Sequence, residues 1–424
     1  MNRLFYDLLL IFHNLFLCYN VGRIFDTGVC NMQQAAGIIA EYNPFHNGHL
    51  YHLQQTKEKT NLPVIIIMSG SIMQRGEPAF LDKWTRARLA VANGADLVIE
   101  LPAAFSLRSA QYFAAGAVAL LQACGCVSTL SCGTENPATD FAALASALTS
   151  SECSKLLQER LKRGLSYAAA SEQVLQQLTG QDIRLDTPND ILALEYSKAL
   201  LRTDIKPIFI RRRHADYNDT VISGDIASAT AIRQAFLIGQ KAAVARAVPA
   251  DVYRELLSLP YDFAACQQML WLLISYRLRM LTSQQIALSC QCSEGLENVL
   301  KRAASCTSLA EAVAKCSSKR YPASRIRRLF LQLLLHRNAE DFAQPEPAYL
   351  RILAFNEQGR RLLNDIKKDS PLPLLTKLGR NPFRNQSHAF RQQLELDLAA
   401  SDLVALLQQR SAGSDFLNSP YYQK

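Results

Sequence analysis

The stretch from Gly37 to His49 constrains the fold most, because an apolar run breaks at a proline and is followed by His-x-Gly-His. The run indicates a buried strand that ends near Glu41, since Pro44 cannot continue strand pairing. The segment from Leu50 to Lys59 can then begin a helix. A strand that leads into a helix N-terminus favours an anion at that point, because free backbone N–H groups and the macrodipole attract negative charge.

The His-x-Gly-His residues suit chemistry at a nucleotide phosphate. Gly48 leaves room for a phosphate beside the backbone, and His46 and His49 can each donate a hydrogen bond to a phosphate oxygen. When an α-phosphorus is attacked, negative charge grows on its oxygens, and donors fixed in advance stabilise that charge. Taken alone, the segment equally fits a pair of loop histidines or half of a metal site.

A second candidate phosphate element, Ser228 to Arg233, lies about 180 residues downstream. Ser228 and Thr230 supply hydroxyl groups, and Arg233 supplies a guanidinium, at the apparent start of a helix. The same residues also fit an N-cap followed by a solvated arginine. The order of the two elements is that of nucleotidyltransferases of the His-x-Gly-His type, in which the last element contacts the β- and γ-phosphates.

With these elements the chain resembles a known family, the bacterial tRNA(Met) cytidine acetate ligases, a branch of the nucleotidyltransferase superfamily. The resemblance is carried by Gly37 to His52, Met68 to Gly70, Gln74 to Ala79, Asp82 to Arg86, Gly94 to Pro102, Pro188 to Leu192, Ser228 to Arg233, Lys319 to Tyr321, Arg325 to Arg328 and Tyr349 to Gly359. Two segments depart from the family pattern. Ser69 to Ile72 stands where Ser-Gly-Asn-Phe is expected, and Cys132 to Glu135 where Phe-Gly-Ser-Glu is expected; both keep the glycine.

The resemblance implies an ATP-dependent, AMP-forming ligase that activates acetate as acetyl-adenylate and acetylates the wobble cytidine of elongator tRNA(Met). Magnesium fits as a phosphate counter-ion, although the sequence shows no carboxylate cage for it. The expected catalytic residues are His46, His49, Ser228, Thr230 and Arg233. The expected ATP-binding residues are Ile38, Ile39, Ala40, Glu41, Tyr42, Asn43, Pro44, Phe45, His46, Asn47, Gly48, His49, Leu50, Tyr51, Gly133, Asn189, Arg212 and Arg213.

From Gln33 onward the sequence alternates predicted strands and helices. Helical segments such as Lys83–Asn93 and Ser109–Cys124 lie between short apolar runs typical of strands covered on both faces. The runs are Ala36–Ala40, Pro63–Met68, Asp96–Leu101, Val127–Ser131 and Ile205–Ile210. The pattern predicts an α/β fold with a Rossmann-like doubly wound parallel sheet, and the resemblance implies that this sheet is of the nucleotidyltransferase type and covers residues 32–250. A mostly α-helical, basic domain is predicted over residues 251–424.

Ligands of such sheets bind at the carboxyl ends of the strands, and polar or glycine residues follow four of the predicted strands. His46, Gly70, Gly133 and the segment Arg211 to Arg213 are therefore expected on one rim. Arg212 and Arg213 either grip phosphate or lie on a solvated loop. Asn189 either contacts the nucleotide or caps a helix. For Glu41, Asp82 and Lys83, a structural role is favoured over a catalytic one.

Basic residues concentrate between Lys319 and Arg391, where fifteen lysines and arginines face six acidic residues. This excess equals the formal charge of the whole chain, +9. Counterion release makes such a cluster a good surface for RNA, and aromatic side chains, several of them expected in the core, lie among the basic residues. A solvated helix face would show the same charges. The expected tRNA-binding residues are Lys319, Arg320, Arg325, Arg327 and Arg328.

The first 31 residues contain two short apolar runs that resemble a signal-peptide core, but His13 and Asn14 interrupt them and no small-x-small cleavage site is near. The run is too short to span a bilayer, so no membrane association is expected. We predict that Met32 is the natural start and that residues 1–31 are an upstream misreading of the gene. The eleven cysteines lack zinc-ribbon spacing, which favours buried reduced thiols, no metal site and a cytoplasmic location.

Two other functions remain open from the residues. A nucleotidyltransferase that acts on a small phosphorylated metabolite would explain the first half of the chain but leaves the basic helical part unexplained. An RNA-binding protein with a decayed nucleotide site would explain the basic part, although the five predicted catalytic residues are intact. Pyrophosphate release distinguishes the three candidate functions. It requires acetate in the ligase and the phosphorylated metabolite in the transferase, and the decayed protein releases no pyrophosphate.

Overall fold

The computed structural model describes residues 33–165, 167–180, 187–213, 222, 224–290, 292, 295–335 and 346–424. Residues 33–424 form one compact unit. The predicted start at Met32 and the extension before it lie outside the described residues.

The strands are β1 (Ala35–Ala40), β2 (Val64–Ser69), β3 (Ile72–Met73), β4 (Glu77–Pro78), β5 (Leu97–Leu101), β6 (Val127–Thr134), β7 (Lys206–Arg211), β8 (Leu350–Asn356), β9 (Leu374–Leu375) and β10 (Tyr421–Gln423). The first helices are α1 (Asn47–Thr60), α2 (Lys83–Ala92), α3 (Ala103–Ser106), α4 (Ala110–Ala123), α5 (Phe141–Leu148), α6 (Ser151–Lys162), α7 (Tyr167–Thr179), α8 (Pro188–Leu200), α9 (Ala229–Leu237) and α10 (Lys241–Ala247). The later helices are α11 (Ala250–Leu257), α12 (Phe263–Met280), α13 (Ser283–Ser289), α14 (Leu296–Arg302), α15 (Leu309–Cys316), α16 (Ala323–Leu335), α17 (Glu357–Asp369), α18 (His388–Leu407) and α19 (Ser414–Leu417), with a short 3₁₀ turn at Ala303–Ser305.

The main sheet has the strand order β10-β8-β5-β2-β1-β6-β7, with β9 beside β8. Pairing is parallel from β5 through β2, β1 and β6 to β7, which brings the carboxyl ends of these strands to one edge. The five strands predicted in the first half of the chain are all present, with small shifts at their ends. The predicted α/β fold with parallel pairing of these five strands is therefore confirmed.

Both faces of the sheet are covered, which explains why its strands read as continuous apolar runs. On one face Ile38, Ile66 and Val98 belong to a buried cluster that also contains residues of α1, α2 and α9–α11. On the other face Gly37 lies so close to Leu121 of α4 that an added Cβ would stand 2.8 Å from the leucine methyl groups.

The C-terminal half of the chain also contributes to this sheet. Strand β8 pairs antiparallel with β5, Leu97 standing opposite Phe355, and β10 pairs parallel with β8. Few strands were expected after residue 250, and β8 was missed because Arg351 interrupts its apolar pattern. Arg351 is only 1% exposed, and its Nη2 lies 3.4 Å from Oδ1 of Asp415. The main sheet therefore contains strands from both sides of the predicted boundary after residue 250.

A buried ionic cluster fastens the C-terminal segment to the sheet. Lys83 at the start of α2 lies 2.9 Å from the Glu100 carboxylate in β5 and 2.8 Å from the Asp415 carboxylate in α19. Gly70 packs against Glu100, and Asp82 caps α2 by accepting from the backbone N–H groups of Trp84 and Thr85. Lys83 and Asp82 thus have structural roles, and Gly70 faces this cluster.

Candidate functional site

Two stacked histidines form the start of helix α1. The His46 side chain caps the helix, its Nδ1 accepting a hydrogen bond from the Gly48 backbone N–H at 3.1 Å. The His46 backbone N–H in turn donates to Nδ1 of His49 at 3.3 Å, and the two ring centroids stand 3.6 Å apart. Because Nδ1 accepts in both rings, the proton of each neutral imidazole lies on Nε2. Each ring therefore keeps an N–H donor for another partner.

The surroundings keep both histidines neutral in the free protein. Burial, reinforced by the positive charge of Arg212, lowers the pKa of His46 to about 3. Burial, with His46, Arg212 and His52 nearby, holds the pKa of His49 well below its usual range. Burial, again with a smaller contribution from Arg212, lowers the pKa of His52 to about 4. The histidines are therefore neutral at physiological pH.

The lowered pKa values predict that the folded state loses stability as the pH falls from about 6.5 to about 4. The unfolded chain takes up protons on these histidines below pH 6.5 and the folded chain does not, so the free energy of unfolding rises with pH across this window. Denaturant midpoints measured at several pH values check the effect. His52→Asn removes one of the titrating groups and should show a shallower dependence on pH; equal slopes for the two proteins would contradict this explanation.

The carboxyl ends of β1, β6 and β7 surround a cleft that is open to solvent. Its lining comprises His46, Gly48, His49, Tyr51, His52, Gly133, Ile210, Arg211, Arg212, Arg213, Ile226 and Ala227. Seven of these were predicted as ATP-binding residues from sequence. The other five, His52, Ile210, Arg211, Ile226 and Ala227, were not predicted as contacts. The spacing of three residues from His46 through His49 to His52 is the signal that could have found His52.

Glu135 holds two of the predicted nucleotide contacts beside this cleft. Nδ2 of Asn189 donates to Oε1 of Glu135 at 2.7 Å, and Nε of Arg212 lies 3.1 Å from the same oxygen. Thr187, not Asn189, caps helix α8, so the N-cap explanation of Asn189 is wrong. The guanidinium of Arg213 lies over the Tyr51 ring, 4.3 Å from its centroid.

The second predicted phosphate element packs against the first. Ser228 caps α9 by accepting from the backbone N–H of Ala231 at 3.1 Å. Arg233, one helical turn further on, donates from Nη1 to the backbone carbonyl of Asn43 at 2.7 Å. The Asn47 amide donates to the carbonyls of Asp225 and Arg246 at 2.8 and 2.7 Å. Elements about 180 residues apart in sequence are thereby brought together.

Several residues of the predicted ATP-binding run pack around the histidines or form hydrogen bonds beside them. Tyr42 and Phe45 are buried and pack against the His49 ring, with centroid distances of 4.8 and 5.7 Å. The Asn43 side chain accepts from the Phe80 backbone N–H at 2.7 Å. Glu41 accepts from the Gln74 N–H at 2.6 Å, and burial raises the pKa of its carboxyl group. These contacts fix the histidines in place.

The predicted tRNA-binding residues divide into an exposed and a half-buried group. Lys319 and Arg320 are exposed, and the guanidinium of Arg325 lies 4.8 Å from the Tyr321 ring centroid. Arg328 on α16 donates to the backbone carbonyl of Gln74 at 3.0 Å, and burial lowers its pKa to about 10. The basic helix α16 therefore contacts the β3–β4 hairpin, which leads towards the Arg233 side of the site.

Comparison with known proteins gives consistent similarities over most of the chain. Residues 32–417 match the family described as HIGH Nucleotidyl Transferase. The tRNA(Met) cytidine acetate ligase of Thermoanaerobacter sp. (strain X514) is 38% identical, covering 90% of this chain and 98% of that protein. The protein of the same name from Leuconostoc citreum is 39% identical, covering 88% of this chain and 93% of that protein.

Solved structures of Thermotoga maritima TmcAL have the same fold. The apo form superposes with a TM-score of 0.85 at 31% identity, covering 92% of this chain and 99% of that one. A second structure of that protein, bound with alpha-thio ATP, superposes with a TM-score of 0.83 over the same shares of both chains.

Proposed function

The chain belongs to the HIGH nucleotidyl transferase family and, within it, to the tRNA(Met) cytidine acetate ligases, and from this premise we propose that it joins acetate to the wobble cytidine of elongator tRNA(Met) while converting ATP to AMP and diphosphate. The observation that carries the proposal is that Arg233 of the Ser228–Arg233 element donates to the Asn43 carbonyl, a few residues before His46 and His49, which line the cleft at the carboxyl edge of the sheet. Two neutral N–H donors and a guanidinium there suit a triphosphate.

In the first step an acetate oxygen attacks the α-phosphorus of ATP, and the bond between the α-phosphorus and the oxygen bridging to the β-phosphate breaks. We assign the Nε2–H groups of His46 and His49 to the α-phosphate oxygens, where charge grows during attack. Ser228, Thr230 and Arg233 are assigned to the departing pyrophosphate. Gly133, Asn189, Arg212 and Arg213 are assigned to ATP on the opposite side of the cleft.

In the second step the exocyclic amine of cytidine attacks the acetyl carbonyl of the adenylate. A C–N bond forms, the bond to the AMP oxygen breaks, and the amine loses a proton. The base must be unpaired to enter the cleft, which suits an anticodon loop that presents splayed bases. We assign Lys319, Arg320, Arg325, Arg327 and Arg328 to the RNA backbone.

We propose that Mg²⁺ arrives with ATP as the counter-ion of its phosphates. Among the residues that the structure describes, no three His, Cys, Asp or Glu side chains are grouped to hold a metal ion. In the same residues, no helix has both the length and the apolar character needed to cross a membrane. A cytoplasmic location is proposed because tRNA is the acceptor.

The proposal is tested by mass spectrometry of the anticodon nucleosides of tRNA(Met) after incubation with the protein, ATP and isotopically labelled acetate. Labelled acetylcytidine is the expected product. Release of AMP without labelled cytidine would keep the first step and contradict the acceptor. Pyrophosphate release that requires a phosphorylated metabolite instead of acetate would favour the alternative transferase.

The exposed part of the basic surface gives a separate prediction. Lys319→Glu combined with Arg320→Glu should weaken tRNA binding at least tenfold and reduce the slope of log K against log salt by about 2, because two phosphate contacts are lost. Acetate-dependent pyrophosphate release without tRNA should stay native. Lys162→Glu with Arg163→Glu, also exposed but outside the basic region, is the matched control. Equal losses in the two double variants would contradict a specific RNA surface.

A further inference from the structure

Glu77 in strand β4 contacts two arginines to which the proposed function assigns different anions. Its Oε2 lies 3.0 Å from Nη2 of Arg233, which is assigned to the pyrophosphate of ATP. Its Oε1 lies 3.7 Å from Nη1 of Arg327, which is assigned to the RNA backbone. One carboxylate thus stands between the two predicted anion-binding groups, with one oxygen towards each.

The hairpin that carries Glu77 is fixed tightly against the basic helix. Gly76 has a φ of +77°, a conformation that glycine adopts without strain. A Cβ built at Gly76 would stand 2.4 Å from the backbone nitrogen of Arg328 and 2.7 Å from the carbonyl carbon of Arg327. The backbone of the β3–β4 hairpin is therefore packed directly against α16. The hairpin that carries Glu77 consequently has little freedom to move away from Arg327.

Another charged side chain, Arg75, lies close to Glu77. Burial lowers the pKa of Arg75, and the charges of Glu41, Glu77, Arg233 and Arg327 also act on it. Side chains of Glu77 and Arg327 remain about one third exposed, 31% and 37%, so an RNA phosphate can reach Arg327 from solvent. Arg233 is less exposed, at 13%, and points inward to the Asn43 carbonyl.

We propose that Glu77 is a positioning residue that opposes simultaneous binding of ATP and tRNA by exchanging between Arg233 and Arg327. This inference rests on the proposed function. When the ATP phosphates engage Arg233, the Glu77 carboxylate is released to Arg327 and neutralises its attraction for RNA. When pyrophosphate leaves, Arg233 shares the Glu77 carboxylate with Arg327 again, as in the structure, and less of the negative charge offsets the attraction of Arg327 for the RNA backbone. The tRNA consequently binds more tightly after acetate has been activated than before.

The test compares tRNA affinity in the presence of saturating ATP, without acetate, and in the presence of saturating AMP, which lacks the pyrophosphate. The native protein should bind tRNA more weakly with ATP. The measured ratio is the Kd for tRNA with ATP divided by the Kd for tRNA with AMP. Repulsion between ATP and RNA raises this ratio in any protein, so the informative quantity is the change in the ratio on substitution. In Glu77→Gln, which keeps the shape and removes the charge, the ratio should fall about threefold, in the range expected for a partly exposed ion pair. Linkage requires tRNA to change ATP affinity by the same factor.

Two further variants separate this coupling from a general effect of surface charge. Glu255→Gln removes a carboxylate that is 32% exposed and 2.6 Å from Arg88, and it should keep the native ratio. Arg327→Gln removes the RNA side of the link and should lower the ratio as Glu77→Gln does. A native ratio in either Glu77→Gln or Arg327→Gln would overturn this inference and leave the proposed function standing. Failure of the native protein to bind ATP or tRNA would overturn the proposed function, and this inference with it.

Discussion

Replacement of His49 by alanine is expected to reduce acetate-dependent pyrophosphate release by about 10²–10³-fold, the usual effect of losing one fixed donor to a developing oxyanion. The His49 ring is held by its stack on His46 and by its contacts with Tyr42 and Phe45, so its Nε2–H is fixed in one position. The tRNA affinity should remain near native, because the basic residues of α16 are on another element. Pyrophosphate release and filter binding of tRNA measure the two properties separately.

Two control variants sharpen this test. His49→Gln can place an amide N–H near the position of Nε2 and should retain more activity than the alanine variant. His388→Ala removes an exposed histidine and should leave both properties unchanged. Because Nδ1 of His49 also accepts from the His46 backbone, loss of this cap costs about 1 kcal/mol of stability, which melting curves will detect. Joint loss of activity and tRNA binding in His49→Ala would point to a structural role.

Lys83→Met is expected to lower the free energy of unfolding by about 3–5 kcal/mol, the usual cost of removing one partner from a buried ionic group. Lys83 is 2% exposed and contacts both Glu100 and Asp415. Without its ammonium group, the two carboxylates face each other with Arg351 as the neighbouring cation, and burial penalises their charge. Chemical denaturation followed by tryptophan fluorescence measures the loss.

Lys368→Met provides the matched control for this prediction. Lys368 also forms a lysine–carboxylate pair, 3.6 Å from Asp365, but its side chain is 70% exposed. Exposed pairs of this kind contribute about 0–1 kcal/mol, so the denaturation midpoint should hardly move. Similar midpoints for the two methionine variants would show that the buried cluster does not stabilise the fold.

The sequence predicted those features that depend on local pattern. The five parallel strands were found because each is covered on both faces and reads as a short apolar run. The order of strand and helix then placed His46, Gly70, Gly133, Arg212 and Arg213 on one edge. The structure brings these residues together around the cleft except for Gly70, which packs against Glu100 instead. Ser228 was expected near a helix start and is indeed the N-cap of α9.

The features that were missed depend on contacts between distant segments. Strand β8 contains Arg351, which reads as an exposed residue until its partner Asp415, 64 positions later, is known. Glu135 and Glu77 are single acidic residues whose importance comes from the arginines beside them, Arg212 and Arg233. A one-dimensional pattern of hydrophobicity carries no information on such pairings, because charged side chains in it are assigned to solvent by default.

The position of β8 in the sheet has a consequence for synthesis on the ribosome. Strand β5 ends at Leu101 and its edge partner begins at Leu350, so the apolar edge of β5 stays uncovered while about 250 further residues are translated. An open, apolar strand edge is a template for pairing with other chains, and N-terminal segments emerge first at a few residues per second. A nascent chain arrested before Leu350 should therefore be aggregation-prone and sensitive to proteases, and it should gain resistance only when the residues of β8 have left the exit tunnel.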